Sequence, residues 1–135
     1  GKIYIAGDTG FHSMKFDRGR GFVEVAMVTL GDIFDRYQVD TCNFLKIDCE
    51  GAEFDFLPKV QPGIWERIQR IAMEFSAPVL DWLQGNPTDA QMKSKAEFGD
   101  MLVELLQRNG FRVDAYVDCV GFRAGYIFAS STRSK

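Results

Sequence analysis

From residue 29 onward the sequence predicts an α/β domain with a mostly parallel sheet, and three observations carry that expectation. Segments of helical and strand character alternate in the order helix, strand, helix, strand, helix, strand, strand. "NFLKID" (43–48) and "IQRIAMEF" (68–75) are short β-prone runs. Phe98, Met101, Leu102, Leu105 and Leu106 recur at i, i+3, i+4, i+7 and i+8, the apolar stripe of an amphipathic helix.

Each element has a local reason. Residues 1–28 form a β-rich, hairpin-like lead-in, with β-prone pieces at Ile3–Ala6, Met14–Phe16 and Phe22–Val28 between Gly- and Asp-rich turns. Residues 29–135 form the α/β core. "TLGDIFDRYQV" opens it as a short helix: Thr29 is a natural N-cap, Asp32 stands three residues on, and Leu30, Ile33, Phe34 and Tyr37 share one face. After the strand ending at Asp48 comes a short helix from Gly51 to Leu57, stopped by Pro58, and then a "PGIW" turn. The strand over Ile68–Phe75 leads into an irregular stretch, 76–95, holding Pro78, Gly85 and Pro87. Met101 and its companions predict a core-facing helix ended by Asn109-Gly110. Phe111–Val117 and Tyr126–Ser130 read as a closing hairpin.

Composition narrows the function classes. The chain has 135 residues, 46% hydrophobic and 26% charged, which fits one globular domain. Its net charge of -3, from 19 acidic against 16 basic residues, carries no nucleic-acid footprint and no polybasic membrane anchor. No apolar run approaches the roughly 18 residues that a membrane-spanning helix needs. Cys42, Cys49 and Cys119 lack metal-ligand spacing and predict reduced thiols in a cytoplasmic protein, and no zinc or other metal site is expected. His12 reads as a solvated loop residue.

The chemistry concentrates in "FLKIDCEGAEFDFL" (44–57). Strand alternation points Phe44, Lys46, Asp48 and Glu50 one way and Leu45, Ile47 and Cys49 the other. In open α/β sheets the crevice beyond the carboxyl ends of the strands binds ligands, and Asp48 and Glu50 stand at such an end. Gly51 permits a sharp turn and a close helix approach, and Glu53 falls in the first helical turn, where a negative charge is favoured by about 0.3–1 kcal/mol. The acidic turn suits a cation or a hydroxyl proton better than a phosphate, and no phosphate-cradling loop is present. The same residues also fit a structural ion pair between Lys46 and Asp48 with Glu53 as a helix-start acid. A metal-binding acidic module on Asp48, Glu50 and Glu53 is a further, weaker alternative, since the dense oxygen-ligand spacing of calcium loops is missing.

"TLGDIFDRY…VDTCNFLKIDCEGAEFDFL" resembles the signature of the FkbM-type methyltransferase family, with its T-L-D-D-like helix start and L-K-I-D-x-E-G-x-E motif. The likeness is close over Val28–Phe75 and looser through "LLQRNGFRV" and "GYIFAS". It implies an S-adenosylmethionine-dependent enzyme, mostly one that methylates hydroxyl oxygens of small molecules or sugars. It also implies a Rossmann-like class I methyltransferase sheet, ordered 3-2-1-4-5-7-6 in the family's strand numbering. Of that sheet this chain would hold the C-terminal half, 4-5-7-6: mostly parallel strands with a closing antiparallel hairpin. The first strands and the Gly-rich cofactor turn would be missing, because "IYIAGDTGF" is followed by no helical periodicity. The chain would then be a fragment with a free sheet edge open to homodimerisation.

On this resemblance Asp48, Glu50 and Glu53 are the catalytic candidates, with Glu53 either facing the pocket or holding the turn. Lys46 would be a buried partner keeping Asp48 ionised, and Gly51 the turn residue. Glu74 would face the crevice from the neighbouring strand, and Asp81 and Trp82 would stand on the substrate side. Two residues depart from the family pattern: Gly31 replaces an acid in the helix start, and Ser76 stands where a His often follows the acid at Glu74. A different class of protein, a non-catalytic half-domain or interaction module lacking the cofactor site, fits the same residues.

Overall fold

The computed structural model describes residues 1–4, 21–49, 51–76, 89–118 and 124–133. In the lead-in, β1 (Lys2–Tyr4) pairs antiparallel with β2 (Phe22–Glu24). The expected piece at Met14–Phe16 lies outside the described residues. Val25–Val28, expected to continue the strand, is not strand.

Helix α1 (Leu30–Arg36) starts where its cap predicts. Thr29 Oγ1 accepts from the Asp32 N–H at 3.0 Å, and the Asp32 carboxylate accepts from the Thr29 N–H at 2.8 Å, a complete capping box. These bonds, led by the Thr29 backbone N–H, hold the Asp32 carboxyl below its usual value. Gly31 in place of an acid therefore costs the helix none of its cap.

The core sheet has four strands: β3 (Leu45–Asp48), β4 (Arg70–Ser76), β5 (Phe111–Asp118) and β6 (Ala124–Ser131), ordered β3-β4-β6-β5. That is the order expected from the resemblance. Within the described mixed sheet β3–β4 is a parallel pair and β6 runs antiparallel to both its neighbours, so β3, β4 and β5 point one way and β6 the other. Two expectations are corrected between β3 and β4. Helix α2 (Glu53–Phe56) is shorter than Gly51–Leu57 and passes into a 3-10 turn (Leu57–Lys59) that contains Pro58. "PGIW" is no simple turn but the start of helix α3 (Pro62–Glu66), where Pro62 sits in the first turn and needs no N–H partner.

Helix α4 (Asp89–Arg108) covers one face of the sheet and ends at Gly110, whose φ of +80° places it in the left-handed region. The Arg133 guanidinium lies against Gly110 and donates to the Asn109 carbonyl at 2.7 Å and the Trp65 carbonyl at 3.3 Å. The core joins Ile47, Ile71, Met73, Phe75, Ile127 and Ala129 from the sheet to Leu57, Ile64, Trp65, Leu102 and Leu106 from the helical side. Met101, expected in this core, is 58% exposed, because the stripe facing the sheet runs through Leu102 and Leu106.

Candidate functional site

Strand β3 alternates as its sequence predicts. Ile47 is buried, while Phe44, Lys46 and Asp48 are exposed on the other face. The Lys46 ammonium donates to the Asp48 carboxylate at 2.9 Å, so the predicted pair forms. Its burial is corrected: the Lys46 side chain is 68% exposed, because among the described residues the helices pack on the opposite face of the sheet. The Asp48 hydrogen bond, then the Asp48 charge, and more weakly the charges of Glu74 and Tyr126, hold the Lys46 ammonium above its usual value.

The parallel register sets Asp48 directly opposite Glu74, and the antiparallel register sets Glu74 opposite Tyr126. Asp48, Glu74 and Tyr126 thus form a row across three strands at the carboxyl end of β3 and β4. Glu74 is half-buried, and none of the hydrogen bonds recorded among the described residues uses its carboxylate.

The turn after β3 is built against β4. Gly51 has φ +93°, and a Cβ there would lie 3.2 Å from the Ser76 carbonyl oxygen. Ala52 is buried, and its N–H donates to the Cys49 carbonyl at 3.1 Å. Glu53 is completely buried, and the Ser76 N–H donates to its Oε1 at 3.1 Å. Glu53 therefore holds the Ser76 N–H, and Gly51, having no Cβ, leaves room for the Ser76 carbonyl, which sets the β3–α2 turn against the end of β4. The family's His position holds a serine here, and it contributes through its backbone. A four-residue helix has little dipole to offer, and the Ser76 N–H is one anchor of the Glu53 carboxylate.

Asp48 and Glu53, predicted together, are separated: one is open on the sheet face and the other sealed at the turn. Glu50, Asp81 and Trp82 lie outside the described residues, as do Ile5–Phe11 of the stretch without a cofactor turn. Among the described residues no three His, Cys, Asp or Glu side chains converge as metal ligands, and no helix is long and apolar enough to cross a membrane. Cys42 and Cys49 are free thiols, and partial burial pushes the Cys49 thiol up, with the Glu53 and Asp48 charges adding to it. A surface pocket lined by Gly1, Lys2, Glu24, Val25 and Ala26 belongs to the lead-in and shares no residue with the β3–α2 junction.

Sequence reasoning missed Tyr126 and the backbone of Ser76. The signal for Tyr126 is its two-residue alternation with Gly125 and Ile127, but placing it beside Glu74 requires knowing that β6 inserts next to β4.

Comparison with known proteins adds one positive finding. No curated protein and no solved structure matches the chain. The family described as Methyltransferase FkbM domain matches residues 5–113, which include the whole β3–α2 junction and β4. The chain belongs to the FkbM methyltransferase family.

Proposed function

We propose that the chain is the part of an S-adenosylmethionine-dependent methyltransferase that carries the methyl-transfer end of a Rossmann-like sheet, and that the acceptor is a hydroxyl on a small molecule or sugar. The observation that carries this reading is where the family's motif falls. K-I-D-x-E-G-x-E occupies the end of β3 and the turn locked to β4, the place where open α/β sheets bind ligands.

The residues present fit the cofactor's charge. Among the described residues Asp48 and Glu74 set two carboxylates beside the ammonium of Lys46 at an accessible strand end, and a sulfonium is a cation. When bound, S-adenosylmethionine would supply a methyl carbon on a positively charged sulfur, which would leave with the carbon–sulfur electron pair as a neutral thioether. For the acceptor, the chain must hold the hydroxyl in line, exclude water and take up its proton as the oxygen–carbon bond forms. Asp48 and Glu50 share these tasks, one orienting the hydroxyl and one receiving its proton. Lys46 holds the Asp48 carboxylate in place. Glu53 and Gly51 position the turn, a role supported by the burial of Glu53, by the hydrogen bond it accepts from Ser76 and by the close approach of the Ser76 carbonyl that Gly51 permits. Glu74 faces the crevice from β4, with Asp81 and Trp82 on the acceptor side.

Within the same proposal the protein is cytoplasmic, in keeping with its free thiols. The outer edge of β3, which pairs only with β4 among the described strands, is where two copies would meet. Equilibrium dialysis against labelled S-adenosylmethionine, with sedimentation of the same sample, tests both statements. Saturable binding supports the methyltransferase reading, and a dimer at the binding concentration supports the edge contact. A folded chain with no binding would instead favour a half-domain that lacks the cofactor site.

A further inference from the structure

The helix that carries Glu53 is four residues long, too short to hold its own place, so its position is set by what its side chains pack against. Phe54 lies one residue beyond the family motif, which assigns it nothing. Its half-buried ring meets Phe75 of β4 edge-on, with centroids 6.4 Å apart and planes at 85°, and Phe98 of α4 at 5.4 Å and 70°. The Phe75 ring is itself seated. It packs so closely on Gly125 that a Cβ there would lie 2.3 Å from it. It also stacks on Tyr116 at 6.2 Å, and the Tyr116 phenol lies where a Cβ on Gly99 would be 2.2 Å away. Four rings from α4, α2, β4 and β5 thus form one chain, in which Phe54 is the link to the turn.

The sequence neighbours of two of these rings make a second contact between the same two elements. Ser76, which donates its N–H to Glu53 at 3.1 Å, directly follows Phe75, and Phe54 directly follows Glu53. The turn is therefore attached to the end of β4 at two consecutive points, one polar and one aromatic. A single hydrogen bond leaves the turn free to swing about it, and the second point removes that freedom. We propose that Phe54 is a positioning residue of the methyl-transfer site, acting through Glu53: its ring, packed between Phe75 and Phe98, holds the Glu53 carboxylate on the Ser76 N–H and so fixes the turn that follows Asp48. This inference rests on the function proposed above.

The test compares wild type, Phe54→Leu, Phe54→Tyr and Phe111→Leu. Leucine keeps apolar bulk without a ring edge, and tyrosine keeps the ring. Phe111 is the control because it makes a T-shaped contact of the same kind with Trp65, at 5.9 Å and 70°, at the end of the sheet opposite the turn. Hydrogen exchange of the Ser76 amide, taken relative to the Met73 amide of the same strand, reads the bond to Glu53 apart from global stability. Dialysis of labelled S-adenosylmethionine against the same samples reads the site. The expected result in Phe54→Leu is at least tenfold faster relative exchange and at least fivefold weaker donor binding. Both should lie within twofold of wild type in Phe54→Tyr, and neither should change in Phe111→Leu although its melting midpoint falls. A relative exchange in Phe54→Leu equal to wild type overturns the proposal, as does an equal change in Phe111→Leu. A wild type that binds no donor while its Ser76 exchange still responds to Phe54 overturns the methyl-transfer role and leaves Phe54 a scaffold residue.

Discussion

The two faces of the four-stranded sheet are made from the same strands and serve opposite ends. On the face covered by helices, Ile47, Ile71, Met73, Phe75, Ile127 and Ala129 are at most 3% exposed. On the other face, their immediate neighbours Lys46, Asp48, Glu74, Tyr126 and Phe128 are open or half-open. Burial specifies the covered face by excluding water, and that fixes register. The register then decides which side chains meet on the open face, where little apolar burial holds them. The open-face side chains are positioned by the packed face beneath them.

Substitutions along a single strand break or sharpen this comparison. Ile127→Ala removes a fully buried side chain and is expected to cost about 2–5 kcal/mol. Phe128→Ala, one residue on but 45% exposed, should cost less than about 1.5 kcal/mol despite deleting a larger side chain. Urea unfolding of the pair measures the contrast, and equal losses would mean that the open face is covered in solution.

Next in size is the turn. Glu53→Ala leaves the Ser76 N–H without its carboxylate and should cost about 1–3 kcal/mol. Lys46→Met, which breaks an exposed ion pair, should leave the unfolding midpoint almost unchanged. Gly51→Ala puts a side chain at φ +93°, 3.2 Å from the Ser76 oxygen, and is expected to cost about 1–3 kcal/mol. A Gly51→Ala protein as stable as wild type would show that the turn is not locked to β4.

A smaller effect than that of the turn is expected at the helix cap. The Asp32 carboxyl is depressed in the folded state, so its contribution is complete above the unfolded value near 3.8 and is lost as pH falls through the lower folded value. Asp32→Asn should therefore be less stable than wild type at pH 7, and the gap should close once the wild-type carboxyl is protonated. A gap that persists in acid would assign the loss to packing.

The same contrast explains how much was legible beforehand. Thr29 and Asp32 declared their cap because every atom involved lies within three residues. Ile47 and Asp48 declared opposite faces because strand alternation is local. Met101 did not declare its exposure, because a helical stripe wider than its contact leaves some apolar positions outside, and only the packed partner decides which. The exposure of Lys46 depended on which face the helices cover. The grip of Glu53 on Ser76 joins positions 23 residues apart, and the row through Tyr126 joins strands whose order follows from the insertion of β6. Local rules therefore found the motif residues, and tertiary register was needed to sort them into sealed and open groups.

The central claim is that the open row serves methyl transfer and the sealed turn serves structure. The most direct test pairs dialysis of labelled S-adenosylmethionine with thermal unfolding for wild type and Asp48→Asn. The account predicts an unchanged melting midpoint and at least tenfold weaker donor binding in the variant. A lowered midpoint with wild-type affinity in the folded fraction would contradict it, and Asp48 would then be part of the scaffold.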